Sequence, residues 1–267
     1  MQSALKSSVY KVGFISPPAW FDISPTEFLL IAPKNTIVMQ TAVRPPDFGY
    51  KVENFKNAIP ELSACFDSLA AAGADVVAQF GYPFSLVHGW EGVQQVLKSI
   101  QGGSKTGLVM MGVEVVHALR HLGCKSIAVA STYYSSAMSK MLCKYLEEAR
   151  LEVLHSENWQ SQGMAEDTDS SPFIGKGELD PMAWETPVDA VKKAVRDVSK
   201  NTPDADGILV TGGGMRLLHI VNELEQEVKK PIVGGDIALY WGIMRRLGID
   251  AGISGYGSLL ASLANVC

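Results

Sequence analysis

Cysteine, histidine and long apolar runs are scarce in this sequence of 267 residues. No apolar run reaches the roughly 18 residues that a membrane-spanning helix needs. His117 and His121 stand four residues apart on a predicted helix without a third ligand, so we expect no metal site. The cysteines lack a CxxC pair or any Cys/His ligand spacing, so we interpret them as buried or surface thiols in a reducing compartment: Cys65, Cys124, Cys143 and Cys267.

Basic residues are fewer than acidic residues. The chain has 23 Lys and Arg against 28 Asp and Glu, a formal net charge of −5 and a pI near 5.6. This balance argues against a nucleic-acid or anionic-membrane surface. The opening residues, MQSALKSSVYKVGFIS, contain no apolar stretch typical of a signal peptide, so we expect a cytoplasmic protein. Hydrophobic residues make up 47% of the chain, which is enough for one large α/β domain or two modest ones.

Short apolar segments rich in β-branched residues alternate with segments of helical periodicity. Strands are predicted at 10–18, 36–43, 74–81, 105–111, 125–131, 151–158, 230–236 and just before the glycines of 204–214. Helices are predicted at 55–73, 89–101, 112–123, 136–151, 187–200, 215–228 and 237–248. This alternation is typical of an α/β fold with a parallel sheet and helices on both faces.

Two parts of the chain repeat one pattern. AGADVVAQFGYP (72–83) and PDADGILVTGGG (203–214) both place Ala-Asp before a strand and a glycine after it, so Gly81 and Gly212 are equivalent. The alternative is that buried parallel strands simply look alike. We predict two pseudo-symmetric lobes, 10–118 with 234–260 returning to it, and 119–233. Since ligands of open parallel sheets bind at the carboxyl ends of strands, we expect the site in the cleft between the lobes.

Residues 159–187 break the alternation. They are polar and rich in Gly, Ser, Pro and Asp, which predicts a long loop. Loops of this length are uncommon unless they act as lids or are disordered. We predict that this segment acts as a mobile lid that excludes water from the cleft.

Five motifs in order resemble the aspartate/glutamate racemase superfamily, and within it the arylmalonate decarboxylases and maleate isomerases, the decarboxylase branch most closely. They are GFISPPA at 13–19, GADVVAQFGYPFS at 73–85, and the segments 112–134, 204–214 and 230–248. The resemblance covers most of the chain except 159–187. It implies a cofactor-independent enzyme that acts on a small carboxylate or carbonyl compound through an enediolate-type intermediate. A homo-oligomer is one assembly that we consider.

The sequence departs from this family at its thiols. Racemases and isomerases of the superfamily carry a cysteine at both strand-end turns, and the decarboxylases keep only the second. Gly81 and Gly212 stand at these positions here, so the resemblance implies chemistry without either cysteine. Backbone N–H groups around 82–85 and 213–215, at the starts of two facing helices, are then expected to bind a carboxylate and stabilise an enediolate. The alternative is that the glycines only shape a tight turn.

Proton transfer is assigned to Asp236, Tyr133 or Tyr82. The alternatives are a helix N-cap for Asp236 and buried hydroxyls bonded to carbonyls for the tyrosines. Decarboxylation is the expected reaction, because it needs only oxyanion stabilisation and a dry pocket for the leaving carboxylate. Isomerisation or hydrolysis of a related acid, or carboxylate binding without catalysis, are the alternatives. The candidate substrate-binding residues are Ser16, Pro17, Gly81, Pro83, Thr132, Thr211, Gly212, Gly213 and Gly214.

Overall fold

The computed structural model describes residues 9–18, 21–44, 51–165 and 186–265. These residues form two four-stranded parallel sheets flanked by helices, so the predicted two-lobed α/β fold is confirmed. The first sheet has the order β2-β1-β3-β4 and the second the order β6-β5-β7-β8. The strands are β1 Tyr10–Ser16, β2 Thr36–Ala42, β3 Val76–Gln79, β4 Gly107–Met110, β5 Ser126–Thr132, β6 Glu152–Asn158, β7 Gly207–Val210 and β8 Ile232–Gly234.

Helices connect the strands and cover the sheets. Their hydrophobic faces and both faces of the central strands form one buried core. In the described ranges the helices are α1 Ser24–Ile31, α2 Val52–Asn57, α3 Ile59–Ala71, α4 Pro83–Leu86, α5 Gly89–Gln101, α6 Met111–His121, α7 Ser136–Glu148, α8 Val188–Asn201, α9 Val221–Val228, α10 Gly235–Arg246 and α11 Gly257–Ala261. Within these ranges no helix is long and apolar enough to cross a membrane.

Equivalent hydrogen bonds repeat in the two lobes. Asp75 Oδ2 accepts a hydrogen bond from the backbone N–H of Lys11 at 2.8 Å, where β1 begins. Asp206 Oδ2 accepts one from the backbone N–H of Lys125 at 2.9 Å, where β5 begins. Each aspartate therefore joins the start of its own strand to the start of the neighbouring strand. The sequence repeat thus corresponds to a structural one, and not merely to a likeness between buried strands.

Two predicted helices differ from the structure. The helix expected over 55–73 is divided between α2 and α3, because Pro60 has no N–H to continue the ladder and its ring would clash with an earlier carbonyl. The helix expected over 215–228 begins only at Val221. Arg216 adopts a left-handed conformation with φ of 50°, and a 3₁₀ turn at Leu217–His219 follows it. Helix α1 lies where the sequence pattern predicted no element.

Helix α10 follows β8 of the second sheet but packs against α6, β3 and β4 of the first lobe. Its first residue, Gly235, lies against the Tyr82 ring, and a Cβ added there would be 2.6 Å from Tyr82 Cε2. The exact lobe boundaries remain a prediction. The predicted lid lies mostly outside the described residues, since 166–185 are not among them.

The turns that follow β3 and β7 meet between the lobes. Phe80 immediately precedes the first turn, and its ring packs against Gly213 in the second. A Cβ added at Gly213 would lie 2.1 Å from Phe80 Cζ, far inside van der Waals contact. The absence of a side chain at Gly213 therefore allows the strand ends of both lobes to approach each other.

We predict that Gly213→Ala lowers the free energy of unfolding by about 1–3 kcal/mol, the usual penalty of overpacking a close contact. Thermal and urea unfolding would measure the loss. Gly103→Ala is the control, because a Cβ added there meets no described atom within 4 Å. Equal stability of the two variants would contradict the close contact.

Candidate active site

The first turn, at Gly81, is held in place through its carbonyl groups. Gly81 has a φ of 104°, a region that residues with a Cβ rarely adopt. The buried Gln79 amide donates hydrogen bonds to the carbonyl oxygens of Phe80 and Gly81. Pro17, at the end of β1, lies over this turn, and its Cγ would be 3.3 Å from a Cβ added at Gly81.

The second turn, at Gly212, is also held through its carbonyl groups, but by different side chains. Gly212 has a φ of 93°. Thr132 Oγ1 donates a hydrogen bond to the carbonyl oxygen of Thr211 at 2.8 Å, and the Tyr133 hydroxyl donates one to that of Gly213 at 3.4 Å. Thr132 itself has a φ of 43°, an outlier for a β-branched residue. Strained backbone of this kind is concentrated at functional sites.

Among the described residues, four N–H groups of these turns have no acceptor. In a trans peptide the N–H points opposite to the carbonyl, so a carbonyl bound on one side directs its N–H to the other. No acceptor within the described part of the chain meets the N–H groups of Gly81, Tyr82, Gly212 or Gly214. Buried N–H groups without a partner are rare in proteins, and several together form an anion-binding site.

The aromatic candidates border this region. Tyr133 lies against the second turn, and a Cβ added at Gly212 would be 2.6 Å from its Cε1. Tyr82 extends from the first lobe towards the second, and its hydroxyl donates a long hydrogen bond of 3.5 Å to the carbonyl of Val210. Burial is the main cause that raises the pKa of Tyr82 well above its usual value, followed by the charge of Asp236. Tyr82 therefore keeps its proton at neutral pH.

Other predicted site residues have structural partners. The Thr211 hydroxyl donates to the carbonyl of Ala130 at 3.4 Å. Pro83 is the first residue of α4. Ser16 Oγ donates to Asp22 Oδ2 at 2.9 Å and accepts from Gln40 Nε2 at 2.7 Å.

Two expectations about helix starts are wrong. The second turn does not lead directly into a helix, because the left-handed Arg216 and the 3₁₀ turn intervene. Its N–H groups therefore act without a helix dipole behind them. Asp236 is not an N-cap either. Gly234 is the N-cap residue of α10, and no side-chain capping hydrogen bond forms at this helix start among the described residues.

Three carboxyl groups are buried next to one another where α1 meets α10. Asp22, Glu27 and Asp236 are only 8%, 5% and 2% exposed. The Tyr240 hydroxyl donates to Glu27 Oε2 at 3.0 Å. Glu27 Oε1 lies 3.6 Å from Nε2 of His219, which is at the surface. Asp236 Oδ1 accepts no hydrogen bond from any described residue.

Burial raises the pKa of all three carboxyl groups. For Asp236 the loss of hydration is the largest cause, and the charges of Glu27 and Asp22 raise its pKa further, to well above the usual value. Burial also raises the pKa of Asp22 and Glu27, against hydrogen bonds that favour their ionised forms. Like charges at short range cannot all ionise in a dry environment. The cluster therefore retains protons at a pH where exposed carboxyl groups are charged.

Sequence reasoning missed Gln79, Asp22 and Glu27. Gln79 is a polar residue that ends an otherwise apolar buried strand, which is a usable signal. Asp22 follows Ser16 by six residues, but their contact depends on the chain folding back after β1. Glu27 lies on α1, where no element was predicted. Among the described residues no group of three His, Cys, Asp or Glu side chains could hold a metal ion.

Comparisons with known proteins agree on one family. A family model for arylmalonate decarboxylase matches residues 12–169 and 178–260. Arylmalonate decarboxylase of Bordetella bronchiseptica is 27% identical over 192 residues, which are 72% of this chain and 73% of that protein.

Solved structures share the fold. A crystal structure of arylmalonate decarboxylase superimposes with a TM-score of 0.73 at 21% identity, over 94% of this chain and 99% of the other. The maleate isomerase Iso from Pseudomonas putida S16 superimposes with a TM-score of 0.79 at 17% identity, over 96% and 99% of the two chains. With a family model that matches nearly its whole length, this chain belongs to the arylmalonate decarboxylase family.

Proposed function

We propose that this protein is a cofactor-independent decarboxylase of a small malonate-type acid. The observation that carries the proposal is the set of unpaired N–H groups at the Gly81 and Gly212 turns, whose carbonyls are bound by Gln79, Thr132 and Tyr133. Membership of the arylmalonate decarboxylase family supports the same reaction class. The proposed substrate has one carboxylate at these N–H groups and a second, leaving carboxylate in an apolar environment.

In the proposed reaction the bond between the central carbon and the leaving carboxylate breaks. Carbon dioxide departs, and the electron pair remains as an enediolate on the carboxylate that is held by the turns. Preorganised N–H groups stabilise the charge that develops on these oxygens. A proton then adds to the central carbon, and the product is a monocarboxylate.

Tyr133 is the proposed proton donor. Its ring occupies the space beside Gly212 in which the side chain of a residue other than glycine would lie. The resemblance implies that thiol-dependent relatives carry a cysteine at this position, and we propose that the Tyr133 hydroxyl takes the place of that thiol as proton donor. The positions of the described cysteines support the same assignment, because Cys65 lies on α3, Cys143 lies on α7 and Cys124 precedes β5, so none of them is at either turn.

Asp236 is proposed to act in its neutral form. A charged Asp236 beside the site would repel the substrate carboxylates, whereas a protonated one avoids this repulsion and can donate a hydrogen bond. Burial and the neighbouring Glu27 and Asp22 favour the protonated form.

Turnover of a panel of 2-aryl- and 2-alkylmalonates tests the proposal. Proton NMR would follow loss of substrate and appearance of monocarboxylate, and in D₂O one deuterium should enter at the former malonate carbon. Maleate and small lactones in the same panel would detect isomerase or hydrolase activity instead. Saturable malonate binding without turnover would identify a carboxylate-binding protein, and absence of both would overturn the proposed site.

We predict that Tyr133→Phe lowers kcat by about 100-fold or more while KM changes little, because the lost hydroxyl acts in proton transfer. Steady-state kinetics on the best substrate of the panel would measure this. Tyr10→Phe is the control, since it removes a hydroxyl at the far end of β1. A kcat close to wild type in a folded Tyr133→Phe variant would exclude the tyrosine as donor.

We predict that replacing all four cysteines with alanine leaves kcat within a few-fold of wild type in a folded protein. Because Cys124 packs against Gly207, the stability of the variant should be checked by thermal unfolding. Loss of turnover on replacing one cysteine, at unchanged stability, would contradict the proposal.

We predict that Asp236→Asn becomes increasingly stabilising relative to wild type as pH rises from about 5 to about 8. A raised folded-state pKa gives stability that is complete below the usual value of 3.8 and is lost as pH rises towards the folded value. Unfolding temperatures across this pH range would measure it.

The matched control is Asp206→Asn, whose effect on stability should stay constant between about pH 5 and about pH 8. Hydrogen bonds from the backbone N–H groups of Ser126 and Lys125 lower the Asp206 pKa, so its stabilisation is present above 3.8 and lost as pH falls. A parallel pH dependence for both variants would show that Asp236 is ionised in the folded protein.

A further inference from the structure

A second concave surface lies away from the turns, between α6 and α10. It has a volume of about 570 Å³. Three arginines line it, Arg120 at the end of α6 and Arg245 and Arg246 at the end of α10. Among the described residues that line it, Glu114 is the only acidic one.

Aromatic rings hold two of the guanidinium groups. The Arg245 guanidinium lies 4.4 Å from the centre of the Trp241 ring, and that of Arg120 lies 5.1 Å from the centre of the Trp90 ring. His121 packs against Trp241 with 5.1 Å between ring centres, and its Nε2 is 2.9 Å from Ser262 Oγ. These contacts reduce the side-chain freedom that a ligand would otherwise have to restrict.

None of these arginines forms an ion pair with a carboxylate elsewhere in the described ranges. Arg196, by contrast, makes a bidentate pair with Glu227 at 2.7 and 2.9 Å. Glu114 faces the imidazole of His117 at 3.6 Å. A net positive charge in a protein with an overall charge of −5 therefore remains concentrated at this cavity.

The ends of two helices offset part of that charge. Each helix C-terminus carries a partial charge of roughly −0.5, so the two ends and Glu114 together balance about two of the three arginines. Arg120 also donates a hydrogen bond to the carbonyl oxygen of Ala149 at the end of α7, so a third helix end offsets part of its charge. Roughly half a positive charge is left even with both imidazoles neutral. An alternative interpretation is that the arginines only compensate the charges of the helix ends. That interpretation does not account for the remaining positive charge.

We propose that this cavity is a binding site for a small dianion, a dicarboxylate or a phosphate, distinct from the catalytic turns. Planar guanidinium groups bind two oxygens of such ligands at once. The site is partly open to solvent, so the expected dissociation constant is on the order of 1 mM. The proposal does not depend on the reaction at the turns.

The test uses the full chain and follows the indole N–H signal of Trp241 in ¹H–¹⁵N spectra, assigned with Trp241→Phe. Inorganic phosphate and succinate are titrated separately at constant ionic strength, with chloride as the balancing anion. We expect a saturable shift with at least one ligand, and the arm that saturates identifies the class. A shift in neither arm would overturn the proposal.

The matched variants remove two positive charges in each case. Arg245→Gln with Arg246→Gln should weaken binding at least 10-fold, while Lys34→Gln with Lys140→Gln, at exposed positions elsewhere, should leave it unchanged. Arg246→Gln alone is a milder variant that keeps the Arg245 contact with Trp241. Equal weakening by the arginine and lysine pairs would show general charge attraction and exclude a site.

Discussion

The Phe80 ring packs against the bare backbone of Gly213, and this contact brings the strand ends of the two lobes together at the candidate site. Phe80 comes directly before the first turn, and Gly213 lies within the second. The spacing of the two sets of N–H groups therefore depends on an aromatic ring in one lobe and a missing side chain in the other. Because protein interiors are close-packed, a contact this short has little room to adjust. The glycines of the second turn are needed as much for this approach as for backbone rotation.

The buried cluster of Asp22, Glu27 and Asp236 affects the charge around the two turns. The chain carries more acid than base, and the carboxylate substrate that we propose would be repelled by ionised groups near the turns. Burying Asp22, Glu27 and Asp236 together makes their ionisation unfavourable, so the surroundings of the turns remain less negative than composition implies. Tyr240 and Ser16 supply hydrogen bonds to two of the carboxyl groups without adding charge.

Much of this fold could be predicted from local pattern. The alternation of strands and helices, the repeat around Gly81 and Gly212, and the division into two sheets all follow from residues close together in sequence. One helix was predicted over 55–73, although Pro60 is a residue that signals the observed break. The left-handed Arg216 could not be predicted, because an arginine gives no sign of positive φ. The roles of Gln79, Asp22 and Glu27 depend on contacts made only in the folded chain. Anion binding at the turns stays a prediction, and the side chains that orient their peptides were not foreseen.

The side chains that lie over the two turns differ in their chemistry. Pro17 lies over Gly81 and has no hydrogen to donate, whereas Thr132 and Tyr133 lie over Gly212 and both carry hydroxyl groups. In the proposed reaction, an intermediate held between the turns would have Pro17 on the side of the first turn and the hydroxyl of Tyr133, the proposed proton donor, on the side of the second. Protonation from one side alone produces a single configuration at a carbon with three other different substituents. We therefore expect a product of one handedness, because the proposed donor lies at only one of the two equivalent turns.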